Sequence, residues 1–99
     1  MAYEIKYSPD AREHMQAMSA RDRRLVLNSV ELQLKSEPAV ETRNRKKMHP
    51  NPLAPWELRI GNLRVYYDIE DEWESTVWIE AIGVKKGNLV YIGGEAVDL

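Results

Sequence analysis

The sequence predicts an α+β fold in which an N-terminal strand and a helical hairpin precede a mainly antiparallel sheet, with the helices packed on one face. Three observations lead to this prediction. Apolar and polar residues alternate near the N-terminus and again in three runs of the second half, as they do in half-buried strands. Two segments with helix-start signals lie between these regions. The connections within the second half are short, so the predicted order is β-α-α-β-β-β.

The first strand and the first helix are predicted from residues 3–18. Residues 3–7, YEIKY, alternate aromatic or apolar with charged side chains, which is typical of a half-buried strand. Pro9 interrupts this strand and suits a first helical turn. Asp10, with Glu13 three positions later, matches a capping box, so a helix is predicted to begin there. Its apolar face is formed at helical spacing by Ala11, Met15 and Met18.

A second helix is predicted from Ser19, which forms a second cap pattern with Asp22, to about Lys35. Two consecutive helices with a short link make a helical hairpin that can cover a sheet. The face expected to pack on the sheet consists of apolar residues at helical spacing, widened by two further leucines: Leu27, Val30 and Leu34, with Leu25 and Leu32.

Residues 36–55 are predicted to be an extended loop, because they contain four prolines and no apolar periodicity. Structureless connections of this length are usually functional or mobile. The loop carries a basic cluster within five positions: Arg43, Arg45, Lys46 and Lys47.

Residues 56–67, WELRIGNLRVYY, predict a β-hairpin with strands over 56–60 and 63–69. A Gly61-Asn62 turn suits type I′ or II′ geometry, in which glycine supplies a positive φ at low cost. Because a two-residue turn determines the register, the residues that face each other can be stated. The pairs expected to face the helices are apolar: Ile60 with Leu63, Leu58 with Val65, and Trp56 with Tyr67.

The other face of this hairpin places Arg59 opposite Arg64 and Glu57 opposite Tyr66. Like charges directly opposite each other destabilise strand pairing, so something must offset the repulsion. Two explanations remain open from the hairpin alone. An anion could bind between the arginines, or Glu57, which is diagonal to Arg64, could form an exposed salt-bridge ladder.

A further strand is predicted over residues 76–84, TVWIEAIGV, after an acidic turn at residues 71–75, and residues 89–92 are predicted to be a final strand or a tail. If residues 76–84 lie beside the hairpin, Lys85 and Lys86 fall where that strand ends. Together with Arg59 and Arg64 they would converge on a shallow groove, on the face that the helices leave uncovered.

Composition excludes several classes of function. A chain of 99 residues is expected to form a single domain, residues 1–99. It has no cysteine, which rules out thiol catalysis, and two histidines without clustered carboxylates do not predict a metal site. The net charge of −2 argues against a generic nucleic-acid binder, although the charges are segregated along the chain. No secretory signal and no apolar run of membrane-spanning length is present, so a cytoplasmic location is expected.

The run WELRIGNLRVYYDI, followed by VWIEAIGVKKGNLVY, resembles the C-terminal half of RelE/ParE-superfamily toxins of bacterial toxin-antitoxin modules. The specific features are an Arg-Ile strand end, a tight turn, an Arg-Val-x-Tyr strand, and an Ile-Gly strand end followed by basic residues and a tyrosine. For a RelE-like member the resemblance implies an endoribonuclease that cleaves mRNA in the ribosomal A site, by attack of the ribose 2′-hydroxyl, with no metal and no cofactor. It also implies a cognate antitoxin as partner, with no membrane and with DNA contacted only through an antitoxin complex.

The resemblance assigns roles residue by residue. Arg59 would contact the scissile phosphate, and Arg64 would stabilise the charge of the transition state. Lys85 would act on the leaving group, and Tyr91 would stack on a base or shuttle a proton. Glu57 stands where well-characterised RelE-like enzymes have lysine, so either it serves as the general base or the protein is an inactive homologue.

Contacts to ribosomal RNA are expected from the basic cluster of residues 43–47 and from Lys86. Two alternatives to the nuclease remain. One is a ParE-like inhibitor of DNA gyrase without nuclease activity, and the other is an inactive homologue that acts only as a binding partner. The combination of Arg59, Arg64, Lys85 and Tyr91 favours the nuclease.

Overall fold

The computed structural model describes residues 2–98 and has the predicted α+β arrangement, with helices on one face of a mainly antiparallel sheet. The sheet runs in the order β2-β3-β4-β5-β6-β7, and β1 pairs in parallel with the first part of β5. The elements are β1 (Glu4–Tyr7), α1 (Pro9–Gln16), α2 (Ala20–Leu34), β2 (Arg45–Lys47), β3 (Trp56–Ile60), β4 (Leu63–Glu70), β5 (Thr76–Lys86), β6 (Leu89–Ile92) and β7 (Glu95–Val97).

Two strands lie where the sequence predicted none. The basic cluster is not wholly loop, because Arg45–Lys47 pair with β3 as the antiparallel edge strand β2. β7 follows β6 through a turn at Gly93 and Gly94, both with positive φ. Each of these strands has three residues, which is too short for alternation to be recognised in the sequence.

Side-chain caps determine how the helices begin and end. The N-cap of α1 is Ser8, not Asp10, and its hydroxyl oxygen accepts a hydrogen bond from the Ala11 amide at 3.1 Å. The predicted N-cap Ser19 is confirmed for α2. Arg23 in α2 donates to carbonyls at the end of α1 and just beyond it, those of Met15 and Met18, each at 3.1 Å. These bonds join the start of α2 to the end of α1, where the Met15 carbonyl also accepts from the Met18 amide at 3.2 Å.

The main hydrophobic core lies between the helices and the sheet. The face of α2 that packs there differs from the prediction, because Val26 is fully buried whereas Leu27 is 41% exposed. Leu25 and Leu32 are exposed as well, so the predicted widening of this face is wrong. Both sets of residues have helical spacing, and the direction in which the helix meets the sheet selects between them. The buried residues of α2 are Val26, Val30 and Leu34, which pack on Leu58, Val65, Tyr67, Val77, Ile79 and Ile82.

The predicted hairpin is confirmed pair by pair, including Arg59 opposite Arg64 and Glu57 opposite Tyr66. Gly61 has a φ of 59°, and no residue other than glycine has a positive φ among residues 2–98. Positive φ at the first turn position alone is the pattern of a type II′ turn, so the structure decides between the two turn types that the sequence allowed.

The sequence predicted that the sheet face away from the helices is uncovered, but the structure shows that part of this face is covered. A second, smaller core lies there and consists of Ala54, Tyr66 and Ala81. It is covered by Met48 and Leu53 from the β2–β3 connection and by Val90 and Ile92 from β6. The sheet is therefore covered on both faces at this smaller core.

Gly83 on β5 allows β6 to approach closely enough to cover this core. A Cβ atom at Gly83 would lie 2.8 Å from both the Tyr91 carbonyl oxygen and Ile92 Cγ1, and 3.1 Å from Val90 Cγ1. We expect Gly83→Ala to lower the free energy of unfolding by about 1–3 kcal/mol, the usual effect of overpacking, as measured by urea denaturation. Gly61→Ala is the control, because a Cβ atom at Gly61 would meet no atom beyond its chain neighbours within 4 Å and the substitution would add only backbone strain. Unchanged stability of Gly83→Ala would show that β6 does not need this close approach.

Candidate active site

A groove of about 280 Å³ opens beside the smaller core, on the sheet face away from the helices. It is bounded by β2, the connection that follows β2, β3 and β6. The side chains that give it chemical character are Lys46, His49, Glu57 and Arg59, with Val90 forming an apolar wall. Cations, a carboxylate and an imidazole therefore share one concave surface.

Glu57 and Arg59 form an ion pair along β3. They are two residues apart on a strand, so both side chains project from the same face. Arg59 Nε donates to Glu57 Oε1 at 2.8 Å. The side chain of Glu57 is 10% exposed and that of Arg59 is 48% exposed. The carboxylate is thus held at the base of the groove, while the arginine extends into solvent.

Arg64 is buried, 8% exposed, although the sequence placed it on a solvent-exposed face. Its Nη1 donates to the carbonyl oxygens of Gly61 and Leu63 at 2.7 and 2.9 Å, so the guanidinium stabilises the hairpin turn. Of the two explanations that the sequence left open, the salt bridge between Glu57 and Arg64 is not observed, because the Glu57 carboxylate forms its ion pair with Arg59. The two opposed arginines separate, one toward a carboxylate and the other toward backbone carbonyls.

Tyr66 lies opposite Glu57 and is fully buried. Its hydroxyl oxygen has no hydrogen-bond partner within the described part of the chain. Burial strongly raises the pKa of this phenol, and the negative charge of Glu57 and the closeness of its carboxylate to the phenol raise that pKa further. The positive charges of Arg64 and Arg59 act in the opposite direction. The sequence left two roles open for Tyr66, assistance in the groove or shielding of the arginines, and the structure places it fully buried opposite Glu57.

The basic cluster of residues 43–47 divides between the two faces of the sheet. Arg45 lies on the helix side, is 8% exposed, and donates to the carbonyl oxygens of Val40 and Gln33. Lys46 lies opposite Glu57 in the register of β2 with β3, so its side chain is on the groove side. Lys47 is exposed and also borders the groove, whereas Arg43 is exposed in the preceding loop. The structure therefore brings Lys46 and Lys47 to the groove and gives Arg45 a structural contact instead.

The other predicted residues also lie on different faces. Lys85 is exposed. Gly83 lies opposite Arg64 in the register of β4 with β5, and Lys85 is two residues after Gly83, so Lys85 is on the same sheet face as Arg64. Tyr91 pairs with Val84 on the helix side, where Lys86 Nζ lies 5.6 Å from the centre of its ring. The structure therefore does not bring Tyr91 to the groove that contains Glu57 and Arg59.

Tyr91 and Lys86 instead border a separate cavity of about 290 Å³ together with His14 from α1. His14 Nδ1 accepts a hydrogen bond from the Ile82 amide at 3.1 Å, which links the helix to β5. The sequence contained a signal for the position of Tyr91. A second Gly-Asn pair, residues 87 and 88, predicts a tight turn that places Tyr91 opposite Val84.

Comparison with protein-family models gives no match for this sequence, and comparison with curated proteins gives none either. Comparison with solved structures does give matches. One is a chain of the toxin-antitoxin complex RelBE2 from Mycobacterium tuberculosis, with a TM-score of 0.70 and 23% sequence identity, covering 86% of this chain and 100% of that chain. The two chains share one fold. At this level of identity the likeness establishes the fold, so any conclusion about chemistry depends on the residues of this chain.

Within this fold the groove combines two chemical capacities. A buried carboxylate can accept a proton, and the adjacent guanidinium and ammonium groups can neutralise a phosphate. No cluster of three or more His, Cys, Asp or Glu residues suited to a metal ion occurs in residues 2–98. Over the same residues, no helix is long and apolar enough to cross a membrane.

Proposed function

We propose that the protein is the toxin of a toxin-antitoxin module and a ribosome-dependent endoribonuclease that cleaves mRNA in the A site. The observation that carries the proposal is the Glu57–Arg59 ion pair, 2.8 Å long, at the base of a groove bordered by lysines on a RelE-type fold. A general base and a phosphate-binding cation are the two groups that cleavage by a 2′-hydroxyl requires.

In the proposed reaction Glu57 accepts the proton of the ribose 2′-hydroxyl as the 2′-oxygen attacks the adjacent phosphorus. The bond from phosphorus to the 5′-oxygen breaks, and that oxygen leaves as a hydroxyl after it takes up a proton. Arg59, whose side chain is half exposed, contacts the non-bridging phosphate oxygens. Arg64 adds positive charge from below the groove, and Lys85, near the end of β5, donates the proton that the leaving 5′-oxygen takes up. Tyr91 has no part in this reaction because it lies on the other face.

The proposed partners are a cognate antitoxin, the ribosome and its bound message. The solved neighbour is itself part of a toxin-antitoxin complex, which supports an antitoxin for this chain. Cations at the rim of the groove or exposed near it would contact RNA phosphates: Arg43, Lys46 and Lys47, with Lys85. Lys86 lies beside Tyr91 and would contact RNA only from the other face. A ribosomal substrate places the proposed activity in the cytoplasm.

Primer extension on a defined message in a reconstituted translation reaction tests this function. Cuts at A-site codons are expected with the wild type and none on naked RNA. Arg59→Ala should lower the cleavage rate by roughly 10²–10³-fold, the usual loss when one donor to the transition state is removed. Arg24→Ala is the matched control, because it removes the same charge from an exposed position on α2.

Intact message in every reaction would contradict the nuclease. A gyrase supercoiling assay would then separate the two alternatives, since inhibition would indicate a ParE-like activity and its absence an inactive homologue. Equal loss of cleavage in Arg59→Ala and Arg24→Ala would show that the groove is not the site.

A further inference from the structure

The hydroxyl of Tyr66 is buried without a partner within residues 2–98, in the smaller core beside Glu57, which lines the groove. Buried hydroxyl groups are nearly always hydrogen-bonded, because leaving one unpaired costs free energy. The neighbouring tyrosine illustrates the usual arrangement, since the Tyr67 hydroxyl donates to the Pro38 carbonyl oxygen at 2.7 Å. The unpaired hydroxyl of Tyr66 therefore calls for a function.

Glu57 is the acceptor that Tyr66 faces. The two residues are directly opposite in the β3–β4 register, so their side chains project side by side from the same sheet face. The Glu57 side chain is 10% exposed, and Arg59 Nε is its ion-pair partner. A carboxylate buried to this degree needs a donor at all times, because an unpaired buried charge is strongly destabilising.

Arg59 cannot serve Glu57 and an RNA phosphate equally well. In the free protein its Nε is bound to Glu57, at 2.8 Å, while the side chain as a whole is half exposed. Contact with a phosphate through the planar fork of a guanidinium requires the side chain to turn outward. When it turns, the Glu57 carboxylate loses its donor.

We propose that Tyr66 is a positioning residue that takes over Glu57 when Arg59 turns to an RNA phosphate. The Tyr66 hydroxyl donates to the carboxylate oxygen that Arg59 releases, and so keeps the carboxylate oriented toward the 2′-hydroxyl. The role of Tyr66 in cleavage rests on the function proposed above. The exchange of donors on Glu57 is a property of the folded protein and can be tested without RNA.

A double-mutant cycle on stability tests the exchange, because Arg59→Ala reproduces the departure of Arg59 from Glu57. We expect Tyr66→Phe to leave the urea midpoint unchanged or to raise it in the wild-type background, where it removes an unpaired hydroxyl. In the Arg59→Ala background the same substitution should lower the midpoint, since the hydroxyl is then the donor to Glu57.

Two further backgrounds provide controls for this cycle. Arg24→Ala removes an arginine far from the groove, so there Tyr66→Phe should behave as in the wild type. Lys46 faces Glu57 from β2 and is the competing donor. If Lys46→Met, and not Tyr66→Phe, lowers the midpoint only in the Arg59→Ala background, Lys46 takes over Glu57 and the proposal is wrong. The same effect of Tyr66→Phe in every background would also overturn it.

The catalytic consequence is tested with programmed ribosomes. Tyr66→Phe is expected to lower the single-turnover cleavage rate roughly tenfold, the equivalent of one hydrogen bond. The affinity of Tyr66→Phe for a message carrying a 2′-O-methyl group at the cleavage position should be unchanged. Arg59→Ala should lower both the cleavage rate and this affinity. An unchanged rate in Tyr66→Phe would overturn the positioning role. If the wild type does not cleave the message, the proposed function is wrong. The double-mutant cycle on stability still tests whether Tyr66 replaces Arg59 as the hydrogen-bond donor to Glu57.

Discussion

Glu57→Gln is expected to reduce the rate of A-site cleavage by roughly 10²–10⁴-fold, the usual contribution of a general base. Glutamine keeps the size of the side chain, and its amide oxygen can still accept the hydrogen bond from Arg59 Nε that the carboxylate accepts at 2.8 Å. It cannot accept a proton from the 2′-hydroxyl. The measurement is single-turnover cleavage of a programmed message, accompanied by urea denaturation to confirm that the variant is folded.

Glu13→Gln provides the matched control for this experiment. Glu13 is exposed on α1, so the substitution removes the same charge from the opposite side of the sheet and should leave the rate unchanged. Wild-type cleavage by Glu57→Gln would show that the carboxylate is not the base. Glu57 would then serve only to hold Arg59, and another group in the groove, such as His49, would have to accept the proton.

Arg45→Met is expected to lower the free energy of unfolding by about 3 kcal/mol, because two hydrogen bonds from a charged donor are lost. The Arg45 guanidinium donates to Val40, at 2.9 Å, and to Gln33 in the last turn of α2. Carbonyls in that turn have no partner within the helix, and a cation near a helix C-terminus is favourable. Methionine keeps the apolar stem, so the change isolates the guanidinium. Urea denaturation of both proteins gives the difference.

Lys46→Met and Lys47→Met are the controls, since both residues belong to the same three-residue strand. Their stability should stay within about 0.5 kcal/mol of the wild type, as is usual for surface positions. Unchanged stability of Arg45→Met together with reduced affinity for ribosomes would contradict the structural role and support the RNA contact that the sequence predicted.

Much of the site geometry follows from the sequence through local rules. The Gly61-Asn62 turn determines the register of β3 and β4, and strand alternation then places Arg59 opposite Arg64 and Glu57 opposite Tyr66. The same reasoning applied to residues 87 and 88 would have placed Tyr91 opposite Val84, on the helix side. Strict alternation along β5 does not predict which sheet face each of its side chains occupies, because β5 has a bulge at Glu80. Tyr66 lies opposite Ala81 and Tyr67 lies opposite Ile79, so Glu80 has no partner residue in β4.

The sequence by itself determined the α+β class, the two helices, the central hairpin and its opposed arginines, because each depends on residues close together in the chain. Only the tertiary structure decided which of these side chains are buried. Tyr66 is covered because Met48, Leu53 and Val90 pack over it from distant elements, and Arg64 is buried with its guanidinium on the carbonyls of the hairpin turn. Arg45 is removed from the groove because α2 ends beside it and leaves a carbonyl without a partner. Burial and hydrogen-bond partners depend on such distant contacts, and those contacts bring β2 and β6 beside Glu57 and Arg59 to form the groove.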